Sequence, residues 1–536
     1  MNRRKFLQLG GAAATALAAG LVWRAYTEGT LIPKPESSRE LTNLVWTKYG
    51  PIRGEQQDCV HIFRGVPYAT PPIGDLRWKP PREPHLWKDP RDAINFGPAC
   101  PQRQDWPFGK PLDMSEDCLY LNLWTPAKND AEKLPVMAWI HGGGFYGGSA
   151  SQPVYDGFNL ATHGVVVVSF DYRLGPFGFL AHPALAEESE HRASGNYGLM
   201  DQVLALKWIH ENIHRFGGDP ANVTVFGESA GAISVCALMT SSLATGLFDR
   251  AIAESGGALM RLRYANRASD GLESMESLGN QFAKRLGVQD EAGALKAMRS
   301  KSWQEILGAA MQPSSVPGGA VLEFLCVDGY VLQDTPGKVF ANHKQLDIPF
   351  MTGTCADEGS MFARRLGVDT LQKYLGFLAA TFGSRARDVL NYFPAEDDLS
   401  AKRAFIALLT DYDFVMVART CARDMMAIQH ETFLYQFTRG ADGAARLGLG
   451  VYHGAELPYV FGSLQGSVYG EEDRRLSQEI MGYWTRFART GDPNGDDAVT
   501  FPRYDSADRH LILGVPITTS EHLHRETCDF LETLRT

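Results

Sequence analysis

The sequence has no C-x-x-C pair. Its eight cysteines stand singly at positions 59, 100, 118, 236, 326, 355, 421 and 528, so the spacing that a zinc ribbon or a thioredoxin-like redox site needs is missing. Basic residues are scarce relative to acidic ones. With Lys+Arg 52 against Asp+Glu 62, a net charge of −10, and no Lys/Arg block beyond the first few positions, nucleic acid is excluded as a partner. Past the N-terminus no stretch reaches the roughly 18 to 20 apolar residues of a membrane span. There is also no internal repeat of about 20 to 50 residues and no Pro/Ser/Gly linker between halves. The 536 residues invite a division into three or four domains at roughly 150 each, but without a linker one domain from about residue 38 to 536 is the simpler reading. Glycine is what the chain has in excess. Its 54 residues are about one in ten against a usual 7% or so, and they gather in tight-turn clusters.

The N-terminus is the one place where charge and apolarity are segregated. Met1-Asn2-Arg3-Arg4-Lys5-Phe6-Leu7 precedes a small-residue run from Leu9 to Val22. This resembles the twin-arginine export signal of bacteria, departing slightly at Asn2 and Gln8. Residues 1–26 are therefore expected to direct export to the periplasm or beyond. Ala16-Leu17-Ala18 supplies a cleavage site, with an uncleaved N-terminal anchor as the alternative. In an oxidising compartment Cys100 and Cys118 are expected to close a short loop, worth about 3 kcal/mol by loop entropy. The other cysteines read as buried thiols.

Val136–Ile140, Gly164–Ser169, Val223–Phe226, Ile348–Met351 and Phe433–Phe437 are short apolar runs without polar alternation. Such runs are strands buried on both faces, as in a mostly parallel sheet. Met200 to Phe216 has Leu204, Trp208 and Ile209 at helical spacing. The fold class is thus α/β, with the segment from about Asn266 to Gln345 read as a helical cap.

Chemistry enters at Gly227-Glu228-Ser229-Ala230-Gly231, between a predicted strand and the helical pattern of Ile233 to Leu238. G-x-S-x-G in that context is a nucleophile elbow: the flanking glycines relieve crowding at a sharp turn, and the helix N-terminus favours a developing oxyanion. His141-Gly142-Gly143-Gly144-Phe145 follows the strand Val136–Ile140. The N–H groups of Gly143, Gly144 and Ala230 are expected to form an oxyanion hole. A phosphate loop is the rival, but no Gly-Lys-Ser/Thr follows.

Five stretches settle on one family, the HGGGF run and four more: FRGVPYA at 63–69, SEDCLYLN at 115–122, GNYGLMDQ at 195–202, and FGGDP at 216–220 leading into the elbow. Over roughly residues 40 to 530 the chain resembles the type-B carboxylesterases, the cholinesterase-like branch of the α/β-hydrolases. That resemblance implies a mostly parallel sheet flanked by helices, no cofactor, a small-molecule ester as substrate, and a triad in the order Ser, acid, His. It puts the acid at Glu358 in Asp357-Glu358-Gly359, leaving Asp357 as a solvated turn carboxylate. It puts the base at His453 in the run Gly450 to Glu456. In the family's mechanism His453 takes the Ser229 proton, Glu358 orients the imidazole, and an acyl-enzyme forms and is hydrolysed. Ser255 matches a supporting serine that hydrogen-bonds the acid, or else belongs to a structural turn. Met361, Arg364 and Arg365 stand where cholinesterases have more aromatic character, which argues against choline esters. Trp106, between Cys100 and Cys118, reads as loop packing more than as a substrate contact.

Two rivals come from other classes. His210-Glu211-Asn212-Ile213-His214 is a literal H-E-x-x-H, the pattern of zinc metalloproteases, but Pro220 occupies the third ligand's place in the longer motif, and no metal is expected. A non-catalytic binding relative is disfavoured because Ser229, Glu358 and His453 are all present.

Overall fold

The computed structural model describes residues 40–103, 112–288, 293–310, 325–440, 444, 448–496 and 498–535. The expected export signal and Trp106 lie outside these residues. Apolar runs with no polar alternation need cover on both faces, and they find it in a sheet of twelve strands among the described residues. These are β1 (Glu40–Leu41), β2 (Glu55–Gln57), β3 (Val60–Pro67), β4 (Tyr120–Thr125), β5 (Leu134–Ile140), β6 (Val166–Phe170), β7 (Gly218–Glu228), β8 (Arg250–Glu254), β9 (Phe350–Cys355), β10 (Thr432–Phe437), β11 (His510–Leu513) and β12 (Thr518–Ser520). Their spatial order is β1-β2-β3-β4-β6-β5-β7-β8-β9-β10-β11-β12. From β6 across to β11 every neighbouring pair is parallel. The pairs outside that block are antiparallel.

Side chains along β5 alternate between the two cores, as a strand's two-residue period requires. Val136, Ala138 and Ile140 join one cluster, where α1 (Tyr197–Asn212) contributes Leu206, Trp208 and Ile209. Met137 and Trp139 join the other, with Ile480, Trp484 and Phe487 from the late helix Glu471–Thr490. The predicted helix to Phe216 ends earlier as an α-helix. A 3₁₀ turn over Ile213–Phe216 follows α1, and Gly217 at φ +75° closes it in the left-handed conformation that favours glycine.

The segment read as a cap is helical at Met275–Arg285, Ala294–Arg299, Trp303–Ala310 and Pro336–Ala341. A second helical insertion, absent from the sequence reading, lies between β9 and β10. It includes α2 (Gly359–Leu366), α3 (Asp398–Thr410) and α4 (Met416–Met426), with two helices, Leu371–Phe382 and Ala386–Tyr392, between α2 and α3 and a π-helical turn Asp411–Val415 between α3 and α4. Phe405, Leu408 and Val415 from this insertion form a third apolar cluster that includes Leu434 of β10.

The disulfide expected between Cys100 and Cys118 is not formed. Both cysteines are buried and free. The Cys118 thiol is hydrogen-bonded to Cys100, whose sulfur accepts the Leu174 N–H at 3.2 Å, so the two sulfurs are neighbours at hydrogen-bonding and not covalent distance.

Candidate active site

The parallel strands deliver their carboxyl ends to one edge of the sheet, where open α/β folds bind ligands. β5 ends at Ile140 and hands over to His141-Gly142-Gly143-Gly144; β7 ends at Glu228, next to Ser229; β8 ends at Glu254, next to Ser255; β9 ends at Cys355, three residues before Glu358. The segment after β10 supplies His453.

Ser229 has φ +57° and ψ −119°, a conformation rare for a residue with a side chain. It is the first half of a strand-to-helix turn, fixed by its N–H donating to the Glu254 carbonyl at 2.9 Å, and Ala230 opens the helix Ala230–Leu238 behind it. The flanking glycines are required by close approach. A Cβ on Gly231 would stand 2.0 Å from the Ile140 carbonyl oxygen, and one on Gly227 would stand 2.7 Å from the same atom. Gly143 and Gly144 have φ +109° and +62°. A Cβ on Gly143 would meet the Gly147 carbonyl oxygen at 2.0 Å. Among the described residues the N–H groups of Gly143 and Gly144 donate to no backbone carbonyl.

Glu358 and His453 meet 95 positions apart in sequence. Oε2 of the fully buried carboxylate lies 2.6 Å from Nδ1 of the imidazole, and Oε1 accepts the Cys355 N–H at 2.8 Å. A second carboxylate faces the other ring nitrogen, with Glu228 Oε1 at 3.1 Å from Nε2. That nitrogen makes no hydrogen bond among the described residues, to Ser229 or to any other group; catalytic hydrogen bonds are often long before substrate binds. Burial opposes the imidazolium, yet Glu228 and Glu358 outweigh it and raise the pKa of His453. The Glu228 carboxyl is also raised, first by burial and then by Glu456 and Glu358.

Two more buried glutamates stand behind this pair. Glu456 accepts from the Cys355 thiol at 2.8 Å and from Ser255 Oγ at 3.2 Å. Glu254 accepts from Trp484 Nε1 at 2.8 Å. Burial raises the pKa of both. Ser255 therefore serves Glu456, not the Glu358 expected of it. Asp357 is also corrected. It is half-buried, its Oδ2 accepts the Val451 N–H at 2.8 Å, and its own N–H donates to the Val451 carbonyl at 2.9 Å. Asp357 thus pins the histidine loop from one end while Glu358 holds the ring.

Aromatic character at the site comes from places the motif comparison left out. Phe362 and Phe414 flank the His453 ring, with centroids at 5.2 Å and 4.9 Å. Met361 is buried, and Arg364 and Arg365 are exposed. Glu228, Glu456, Cys355 and Phe414 were missed as site residues. Glu228 had a signal, since it adjoins Ser229 in the elbow. Glu456 had one too, three residues after His453 in the same run; Cys355 and Phe414 had none, because only the fold brings them to His453. The H-E-x-x-H residues are elsewhere. His210 and His214 are exposed, Glu211 bonds Lys48 Nζ at 2.9 Å and Tyr49 Oη at 3.1 Å, and among the described residues no group of three potential ligands could hold a metal. Nor is any described helix long and apolar enough to cross a membrane.

Comparisons with known proteins give the family. The model of the carboxylesterase family matches residues 42–531. The chain is 37% identical over 519 residues to the fumonisin B1 esterase of Sphingopyxis macrogoltabida, covering 94% of this chain and 93% of that one. It is 37% identical over 498 residues to the para-nitrobenzyl esterase of Bacillus subtilis, covering 89% and 95%. Among solved structures, a PNB esterase superimposes with TM-score 0.76 and a thermophilic PNB esterase with 0.78. Each is 34% identical and covers 91% of this chain and 99% of its own. With this sheet and these matches, the chain belongs to the carboxylesterase family, the hydrolases of carboxylic esters.

Proposed function

We propose that Ser229 is the nucleophile of this ester hydrolase, His453 its general base and Glu358 the carboxylate that orients and charges the base. The observation behind these roles is the 2.6 Å bond between Glu358 Oε2 and His453 Nδ1, formed beside the strained turn of Ser229. Nδ1 held by Glu358 leaves Nε2 as the proton acceptor. Ser229 Oγ adds to the ester carbonyl carbon as its proton passes to Nε2. The carbonyl oxygen, now an alkoxide, takes hydrogen bonds from the N–H groups of Gly143, Gly144 and Ala230. Collapse expels the alcohol, protonated by His453, and leaves an acyl-Ser229 ester. Water activated by the same imidazole then releases the acid and restores the serine. Glu228 and Glu358, the two carboxylates that face the ring nitrogens, favour the imidazolium of both transition states.

The substrate class is a small-molecule carboxylic ester. The relatives named for fumonisin B1 and para-nitrobenzyl esters make esters of those two kinds the first to assay. Export through the twin-arginine route remains part of the proposal, supported by Arg3-Arg4 ahead of the Leu9 to Val22 run.

Ser229→Ala tests the central role. Ester hydrolysis should fall by about 10⁴–10⁶ with unchanged circular dichroism, and an organophosphonate should add once to the intact protein, at Ser229. Full activity in the variant, or an adduct elsewhere, overturns it.

A further inference from the structure

The glycine loop after β5 carries two of the N–H groups assigned to the oxyanion, and its shape is set from outside the loop. Residues 143 to 147 close a turn. The N–H groups of Tyr146 and Gly147 both donate to the Gly143 carbonyl, at 3.2 Å and 3.1 Å, and the Gly147 carbonyl oxygen bears on Gly143, where a Cβ would stand 2.0 Å from it. Gly148 then folds beneath the start of the loop. At φ +104°, a Cβ there would meet the Gly142 carbonyl oxygen and His141 Nδ1, each at 2.7 Å. A trans peptide keeps its C=O and N–H on opposite edges of one plane, so the group that holds the Gly148 N–H sets how the Gly147 carbonyl bears on Gly143.

That group is the side-chain amide of Gln102, 46 positions earlier in the chain. Its Oε1 accepts the Gly148 N–H at 2.8 Å, and its Nε2 donates to the Gly148 carbonyl at 2.8 Å. Nε2 also donates to the Cys100 carbonyl at 3.1 Å. The side chain is 1% exposed. The segment that carries it is itself anchored, since the Ala99 N–H donates to the Asp113 carbonyl at 2.9 Å and the Ser115 N–H to the Ala99 carbonyl at 3.0 Å. Past Gly148 the chain passes to another holder, Asp171, whose Oδ1 accepts the Ala150 N–H at 2.8 Å. An apolar side chain of the same length would fill the space that Gln102 fills. A buried amide is costly unless its hydrogen bonds are made, and here two of the three fall on the backbone of one glycine.

We infer that Gln102 is a positioning residue of the esterase: by clamping Gly148 it fixes the peptide plane that bears on Gly143, and so aims the N–H groups of Gly143 and Gly144 at the tetrahedral alkoxide. The inference rests on those N–H groups and Ser229 being the reacting centre. Donors held in place before the alkoxide forms stabilise the transition state more than the bound ester. Loosening the clamp therefore lowers the rate and leaves ground-state binding alone.

The test is Gln102→Met, which keeps the length and removes the amide. Rates are counted per serine titrated with an organophosphonate, so molecules that fail to fold do not enter. With p-nitrophenyl butyrate, kcat/KM should fall about 10–100-fold, the effect of a small misplacement in a catalytic constellation. The Ki of an alkyl trifluoromethyl ketone, which binds as a tetrahedral alkoxide on the serine, should rise by a similar factor. The matched methyl ketone, which stays trigonal, should bind as before, and the acid limb of the pH profile should not move. Gln102→Asn repeats the measurements with an amide one methylene short of Gly148 and should fall in the same direction. Rates within about twofold of the parent in both variants overturn the inference. So does a rate loss in which both ketones weaken alike, or one explained by a shifted acid limb, because either would mark a general disturbance of the pocket. A parent enzyme that the trifluoromethyl ketone does not inhibit would instead sink the reading of Ser229 and its oxyanion donors, and the inference with it.

Discussion

Glu228 Oε1 lies 3.1 Å from His453 Nε2, while Glu358 Oε2 lies 2.6 Å from Nδ1 of the same ring. The imidazole is held between two carboxylates, and both favour its cation. Burial alone would lower its pKa, yet the two carboxylates carry it above the ordinary 6.5. Base catalysis needs the neutral ring, so activity is lost as pH falls through this raised value. Glu228→Gln removes one of the two negative charges, and the acid limb of kcat/KM should move to lower pH by about one unit. A profile from pH 6 to 11 on both enzymes, spanning the raised value of about 9, reads the shift. An unmoved limb would mean that Glu228 is neutral throughout and exerts no field on the ring.

Glu358→Gln keeps the size of the acid and removes its charge. The loss in kcat should be about 10²–10⁴, by analogy with other triads. Asp357→Asn keeps an acceptor for the Val451 N–H and should cost less than about tenfold. Measuring kcat for both at a pH where the parent is fully active separates a residue that charges the histidine from one that anchors its loop. The reverse ranking would put the triad acid at Asp357.

Gly231→Ala should destabilise the elbow, because its Cβ would fall 2.0 Å from the Ile140 carbonyl oxygen. Backbone cannot yield as a flexible side chain does. The cost should be about 1–3 kcal/mol or more, seen as a lower urea midpoint, with the esterase rate falling as Ser229 is displaced. An unchanged midpoint would show that the turn has room the geometry denies.

Replacing Arg3 and Arg4 by Lys should hold the protein in the cytoplasm if the twin-arginine route exports it. Cell fractionation of a bacterial host decides. Undiminished periplasmic enzyme would assign residues 1–26 to the general secretory route.

The strands were legible in the chain because burial on both faces removes the polar alternation that would otherwise blur them, as at Val166–Phe170. Ser229 was legible because its turn needs glycines at fixed places, so that steric demand leaves a mark in sequence. Glu358 and His453 leave no such mark, and only the family's motifs singled them out from the other glutamates and histidines. Ser255 was placed against the wrong carboxylate for a related reason. The sequence does not say that Glu456 turns inward, since glutamate is ordinarily a surface residue. Asp357 looked like a solvated turn residue until the histidine loop was seen to fold back onto it. The insertion carrying Phe414 went unread because its relation to His453 exists only after β9 and β10 have paired.

That pairing has a consequence for how the enzyme reports on its own assembly. The proposed nucleophile, acid and base, Ser229, Glu358 and His453, hang from β7, β9 and β10, which are level only when the parallel registers are correct. A slip of one residue would carry a strand end about 3.3 Å along its axis and turn its side chains to the other face. The gap between Glu358 and His453 is shorter than that step. Turnover is therefore a ruler laid across the middle of the sheet: a molecule that hydrolyses ester at full rate has every strand from β7 to β10 in register, and a misaligned one, however compact, is silent.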